Sequence, residues 1–116
     1  MARIFSPRRR IDTWRSIWLA LAESQHELGL GIDESQLQQL RESRSEIDFE
    51  AAAAHEKTLR HDVMAHVHTW GEMAPDARGI IHLGATSQDI VCNGDLIIFR
   101  EALELIARKL ALVIHQ

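Results

Sequence analysis

From Ser87 to its last residue the chain places an apolar side chain every three or four positions. Leu96, Phe99, Leu103, Ile106, Leu110 and Val113 form this row, which has the spacing of a heptad seam on a long helix. Beyond Gly94 no glycine, asparagine or proline interrupts it. Gly94 itself costs such a helix roughly 1 kcal/mol relative to alanine. A seam this apolar needs partners, so the pattern predicts a cut helix at the front of a longer, bundled polypeptide. Helices packed on helices are the expected class.

The upstream segments agree. "SPRRRIDTWRSIWLALAESQHELG" puts Ser6 at an N-cap and Pro7 at the first helical position, where its missing N–H costs nothing. Ile11, Trp14, Trp18, Leu21 and Leu28 fall on one stripe, and Gly29 supplies the stop. Three arginines at this helix start oppose the macrodipole, which predicts acidic neighbours from elsewhere in the fold. A shorter helix follows in "DESQLQQLRES", capped by Asp33, and a third in "DFEAAAAHEKTLR". In "HDVMAHVHTWGEMAP" Val63, Val67 and Trp70 share a face and Pro75 ends the run. Only "DARGIIHLGATS" has strand-like character; short and glycine-flanked, it reads as an extended connector. The expected architecture is all-α: a small helical N-terminal domain over residues 1–86, then the first long helix of a helical bundle over residues 87–116.

Composition narrows the setting. A chain of 116 residues can bury one modest core. The single cysteine, Cys92, permits no intrachain disulfide, so a reducing cytoplasm is the default. Its place within an apolar helix predicts a buried thiol. A formal charge of −4 argues against general nucleic-acid affinity, and "PRRR" reads as a solvated first turn. No apolar run reaches membrane-spanning length, and the first residues lack the apolar core of a signal peptide.

Seven histidines invite a metal, with His55, His61, His66 and His68 close together. Yet "HEKTLRH" is not H-E-x-x-H, and two turns separate His61 from His68, so no metal site is expected. No serine elbow, phosphate loop or dinucleotide fingerprint is present. The junction "GATSQD" is sharper. Thr86 and Ser87 stand where the long helix begins, so their hydroxyls and the first free amides point together toward a carboxylate or phosphate. A bare helix cap accounts locally for the same residues. In "RHD", Asp62 can cap the following helix, Arg60 can pair with an anion and His61 can give or take a proton. Two anion-suited helix starts, one beside a histidine, point to a small polyanionic ligand.

Together "WRSIWLALAESQHELGL", "LRHDVMAHVHTWG" and "ARGIIHLGATS" carry a resemblance. From about Phe5 to its end the chain resembles the adenylosuccinate lyases of the fumarase/aspartase superfamily, and the blocks lie in that family's order and spacing. The resemblance implies a lyase that releases fumarate from adenylosuccinate, leaving AMP, and from the succinylated aminoimidazole carboxamide ribotide, in purine nucleotide biosynthesis. It implies long helices assembled into a homotetramer, shared active sites, and neither cofactor, metal, nucleic acid nor membrane as a partner. Residue by residue, Thr86 and Ser87 become substrate ligands. Arg60, His61 and Asp62 line the site, His61 in a supporting catalytic role. The proton donor, a later histidine, and the base, a serine on a mobile loop, are expected outside these residues. Two departures stand out: "MARIF" shows no Arg-Tyr pair for the phosphate, and Gly94 replaces a frequent threonine. The rival readings are another superfamily lyase, such as one for argininosuccinate, and a free-standing helical interaction module.

Overall fold

The computed structural model describes residues 1–116 as five helices and no strand: α1 Pro7–Glu27, α2 Glu34–Ser43, α3 Phe49–Leu59, α4 Asp62–Met73 and α5 Ser87–Ile114. The expected all-α class holds. Ser6 Oγ accepts from the Arg9 amide at 3.2 Å, and Pro7 opens α1. Gly29, at φ +73°, turns the chain away after the Leu28 C-cap. Asp33 and Gln36 close a capping box on α2, and Asp48 caps α3. No helix is long and apolar enough to cross a membrane.

α1 is the central strut. Its Trp14 and Trp18, with Trp70 of α4, are fully buried and meet at ring separations of 6.2 and 6.3 Å. Truncating one such ring costs about 3–5 kcal/mol. Ile11 joins them as expected, but Leu21 is only half-buried and Leu28 lies exposed, because Ala22 takes the inward position. Val63, Val67 and Trp70 all face the core.

The arginines at the α1 start find their acidic neighbours. Arg9 is bonded to both carboxylate oxygens of Glu101 on α5 and, at 3.2 Å, to Asp12. Hydrogen bonding to Glu101 raises the Arg9 pKa and lowers that of Glu101. Arg10 lies 3.9 Å from Asp62. Arg15, fully buried, donates to the carbonyls of Ser43, Arg44 and Glu46 at 3.0, 3.1 and 2.6 Å. The negative end of α2 thus serves as its counter-charge. Burial pushes the Arg15 pKa down to about 10, which leaves it charged at neutral pH.

Two expectations need correction here. The 75–84 connector is a succession of tight turns rather than extended chain, with bonds such as Ile80 N–H to Ala77 O at 3.0 Å. No neighbouring strand offers partners, so the backbone satisfies itself locally while Ala77 and Ile81 plug the core. Cys92 is exposed; its thiol donates to Gln88 Oε1 at 3.2 Å, one turn back on the outer face of α5.

α5 buries Ile90, Gly94, Ile98 and Ala102 against the rest of the molecule. A Cβ on Gly94 would stand 3.0 Å from Trp14 Cδ1 and 3.2 Å from its Nε1, so the glycine admits the indole. The heptad row lies on another face and is uncovered: Leu96, Phe99, Leu103 and Val113 are 51–67% exposed.

Candidate functional site

The starts of α4 and α5 converge. His61, not Asp62, is the N-cap of α4: its Nδ1 accepts from the Met64 amide at 3.2 Å. Asp62 instead opens the helix, accepts from the Val63 amide at 2.8 Å and leans toward Arg10. An imidazole that accepts at Nδ1 carries its proton on Nε2. That nitrogen lies 3.1 Å from Ser87 Oγ, so His61 donates and the Ser87 hydroxyl proton stays free to point outward.

Thr86 is the N-cap of α5 and is committed to it. Asp89 Oδ2 accepts from the Thr86 amide at 2.8 Å and from its hydroxyl at 3.0 Å, and the Asp89 amide donates back to Thr86 Oγ1 at 3.4 Å. The Thr86 amide and hydroxyl hold the Asp89 carboxyl below the usual carboxylate range. The amides of Ser87 and Gln88 have no acceptor. Ser87, rather than Thr86, therefore presents the open donors of this helix end.

Arg60 ends α3 in the left-handed region at φ +53°, its amide donating to Glu56 O at 2.7 Å. Its guanidinium is exposed and makes no hydrogen bond or ion pair within the chain. Left-handed backbone is costly for a side-chain-bearing residue, and such strain gathers at functional sites.

The sequence reading missed His82. It sits in the connector at φ +68°, and Trp18 Nε1 donates to its Nδ1 at 3.0 Å. Burial pushes its pKa down, the Asp89 carboxylate opposes this and His61 adds to the lowering. Its only sequence signal was its place four residues before Thr86. Arg60, His61, Thr86 and Ser87 line none of the molecule's clefts; they form an open edge. No three His, Cys, Asp or Glu side chains close into a metal-holding group.

No family model matches the chain. Comparison with curated proteins is more informative. Adenylosuccinate lyase of Saccharomyces cerevisiae is 49% identical over 120 residues, covering 100% of this chain and 25% of the yeast protein. That of Schizosaccharomyces pombe is 47% identical over 119 residues, with 100% and 25% covered. That of Schistosoma mansoni is 45% identical over 107 residues, with 92% and 22% covered. The chain spans about a quarter of the length of the relatives it matches. Identity at this level, over alignments that cover 92–100% of its residues, establishes that the chain belongs to the adenylosuccinate lyase family.

Proposed function

We propose that these residues supply one substrate-gripping edge of a fumarate-releasing lyase. Its substrates are adenylosuccinate and the succinylated aminoimidazole carboxamide ribotide, and it works in the cytoplasm on the route to purine nucleotides. The observation that carries this reading is the Ser87–His61 contact, which joins two helix starts 26 residues apart into one donor surface. Free amides at Ser87 and Gln88, the outward Ser87 hydroxyl and the unpaired Arg60 guanidinium all favour an anion there, matching a substrate with a phosphate and two carboxylates.

His61 acts as a positioning group. With its proton on Nε2 and Nδ1 occupied, it cannot also deprotonate Ser87, so it orients that hydroxyl. Thr86 sets the helix start that displays the amides, and Asp62 steers Arg10. The elimination itself needs a base to take a proton beside a carboxylate and an acid for the leaving nitrogen. Those groups come from chain beyond these residues and from neighbouring subunits, assembled into a homotetramer along α5.

Ser87→Ala in the lyase at its full family length tests this. Losing one hydrogen bond to a charged group, worth about 1.5–3 kcal/mol, raises KM at least about tenfold. Ser87 is not the cap, so the melting temperature stays put. An unchanged kcat/KM would overturn the reading. The 116-residue chain by itself is expected to release no fumarate, followed by ultraviolet absorbance.

A further inference from the structure

Pro7 and Pro75 are the only prolines, and Pro7 alone follows a hydroxyl-bearing residue. Ser6-Pro7-Arg8-Arg9 also places an arginine three positions after that serine. Proline-directed protein kinases with an acidic pocket for such a residue read this pattern. The surroundings of Ser6 are as distinctive as its sequence. It lines a cleft of about 180 Å³ with Arg3, Arg8, Arg9 and Asp12, and no apolar residue takes part. That space is smaller than the about 300–1,000 Å³ of most small-molecule sites. Three arginines share it with one carboxylate, and Asp12 is already bonded to Arg9, as is Glu101 from α5. Arg8 donates to a neutral carbonyl, Ser45 O, at 2.7 Å, and neither Arg3 nor Arg8 has an ion pair. The cleft therefore holds positive charge that the chain does not neutralise.

We propose that Ser6 is a phosphorylation site and that Arg3 and Arg8 hold the phosphoserine it becomes. Ser6 Oγ attacks the terminal phosphorus of ATP on a proline-directed kinase. The bond from that phosphorus to its bridging oxygen breaks, ADP leaves with the electron pair, and the hydroxyl proton passes to a base of the kinase. Ser6 is half-buried with extended backbone, φ −70° and ψ 152°, which suits a kinase that binds Ser-Pro as extended chain. Engagement opens the first turn of α1, and terminal turns open at low cost. Once modified, Ser6 gives up the bond that its hydroxyl donates to Arg3 O at 2.8 Å. In exchange, phosphate oxygens accept from the Arg3 and Arg8 guanidiniums, the strong charge-assisted kind of bond. The phosphoryl group arrives tethered, so it needs no cavity of ligand size. No residue of the lyase edge lines this cleft.

The test takes the 116-residue chain with ATP and a cyclin-dependent kinase, and locates phosphate by fragmentation mass spectrometry. One phosphate on Ser6, absent from Ser6→Ala and slowed at least tenfold in Pro7→Ala, is the expected result. Pro7→Ala keeps the Ser6 cap, so it decides should Ser6→Ala fail to fold. No incorporation, incorporation elsewhere, or an undiminished rate in Pro7→Ala overturns the proposal. The holding arginines are read separately, on chain made with phosphoserine at position 6 and titrated by phosphorus NMR. Its second ionisation should fall to about pH 5.5 or below, against an ordinary value near 6. Arg3→Ala combined with Arg8→Ala should return it to the ordinary value. A phosphoserine that titrates alike with and without the two arginines overturns their role. Neither readout depends on the Ser87→Ala kinetics, so this inference and the lyase reading can fail separately.

Discussion

At the scale of single residues, Arg60 and Gly94 oppose local preference and each does so for a nameable reason. Arg60 holds φ +53° at the end of α3, a place where glycine is the usual occupant. Arg60→Gly is therefore expected to raise stability by about 0.5–1 kcal/mol while weakening anion binding. Urea denaturation and phosphate titration of the same variant check the two opposite signs. Gly94 has the reverse balance. Alanine there gains about 1 kcal/mol of helix propensity, but its Cβ would press on Trp14 Cδ1 at 3.0 Å. Trp14 is 1% exposed and braced by Trp18 and His66, so it cannot step aside. Overpacking of about 1–3 kcal/mol outweighs the gain, and Gly94→Ala should lower the melting temperature. From the sequence Gly94 reads only as a helix defect; the indole that makes it useful lies 80 residues away in the chain and leaves no local signal.

At the scale of elements, the α1–α4 interface carries an acid sensitivity. Burial, the main cause, pushes the His66 pKa from its ordinary 6.5 down to about 4. Between those values the unfolded chain binds a proton that the folded chain refuses, so stability rises with pH across that window. Lowering the pH from 7 to 4 should remove up to about 3 kcal/mol through this group. His82, lowered in the same direction, adds to it. Melts of the parent and of His66→Phe at pH 7 and 4.5 check this: the variant's pH dependence should be visibly flatter. Helix identities and most caps were legible in advance, since Ser6, Asp33 and the 3.6-residue stripes are local signals. What the sequence concealed was long-range. The α4 cap passed from Asp62 to His61, whose Nδ1 takes the Met64 amide while Asp62 turns to the Val63 amide and Arg10. The isoleucine pair of the connector looked strand-like, yet a strand requires a partner that this fold lacks. The candidate edge was half-legible: Ser87 and His61 are local to helix starts, whereas His82 takes its position from an indole 64 residues away.

For the molecule as a whole, the unresolved tension is on α5. One face of that helix is spent on α1 through Ile90, Gly94, Ile98 and Ala102, and from Leu103 onward almost nothing covers it. Leu103, Ile106, Leu110 and Val113 remain 44–67% exposed, as does Phe99 despite Phe5 lying 6.5 Å from its ring. A row of this length is larger than a monomer ordinarily leaves open to water. Cys92 is exposed for a related reason: the helix is apolar on more than one side, so hydropathy alone misplaced the thiol among the buried positions. Removed from partner helices, residues 107–114 are all exposed, with little packing to slow their opening, and a lone helix end frays. The 116-residue chain should therefore self-associate as concentration rises, with amide protection of residues 107–114 appearing only in the associated form. Leu103→Glu combined with Leu110→Glu places charges on the seam, away from the α1 contact, and should leave the melting temperature of the dilute chain nearly unchanged while abolishing association. Sedimentation velocity across a concentration series, paired with hydrogen exchange, reads both effects. A chain that stays monomeric throughout with its last helical turns fully protected would show that α5 is stable without neighbours, and the bundled assembly proposed for the lyase would lose its physical motive.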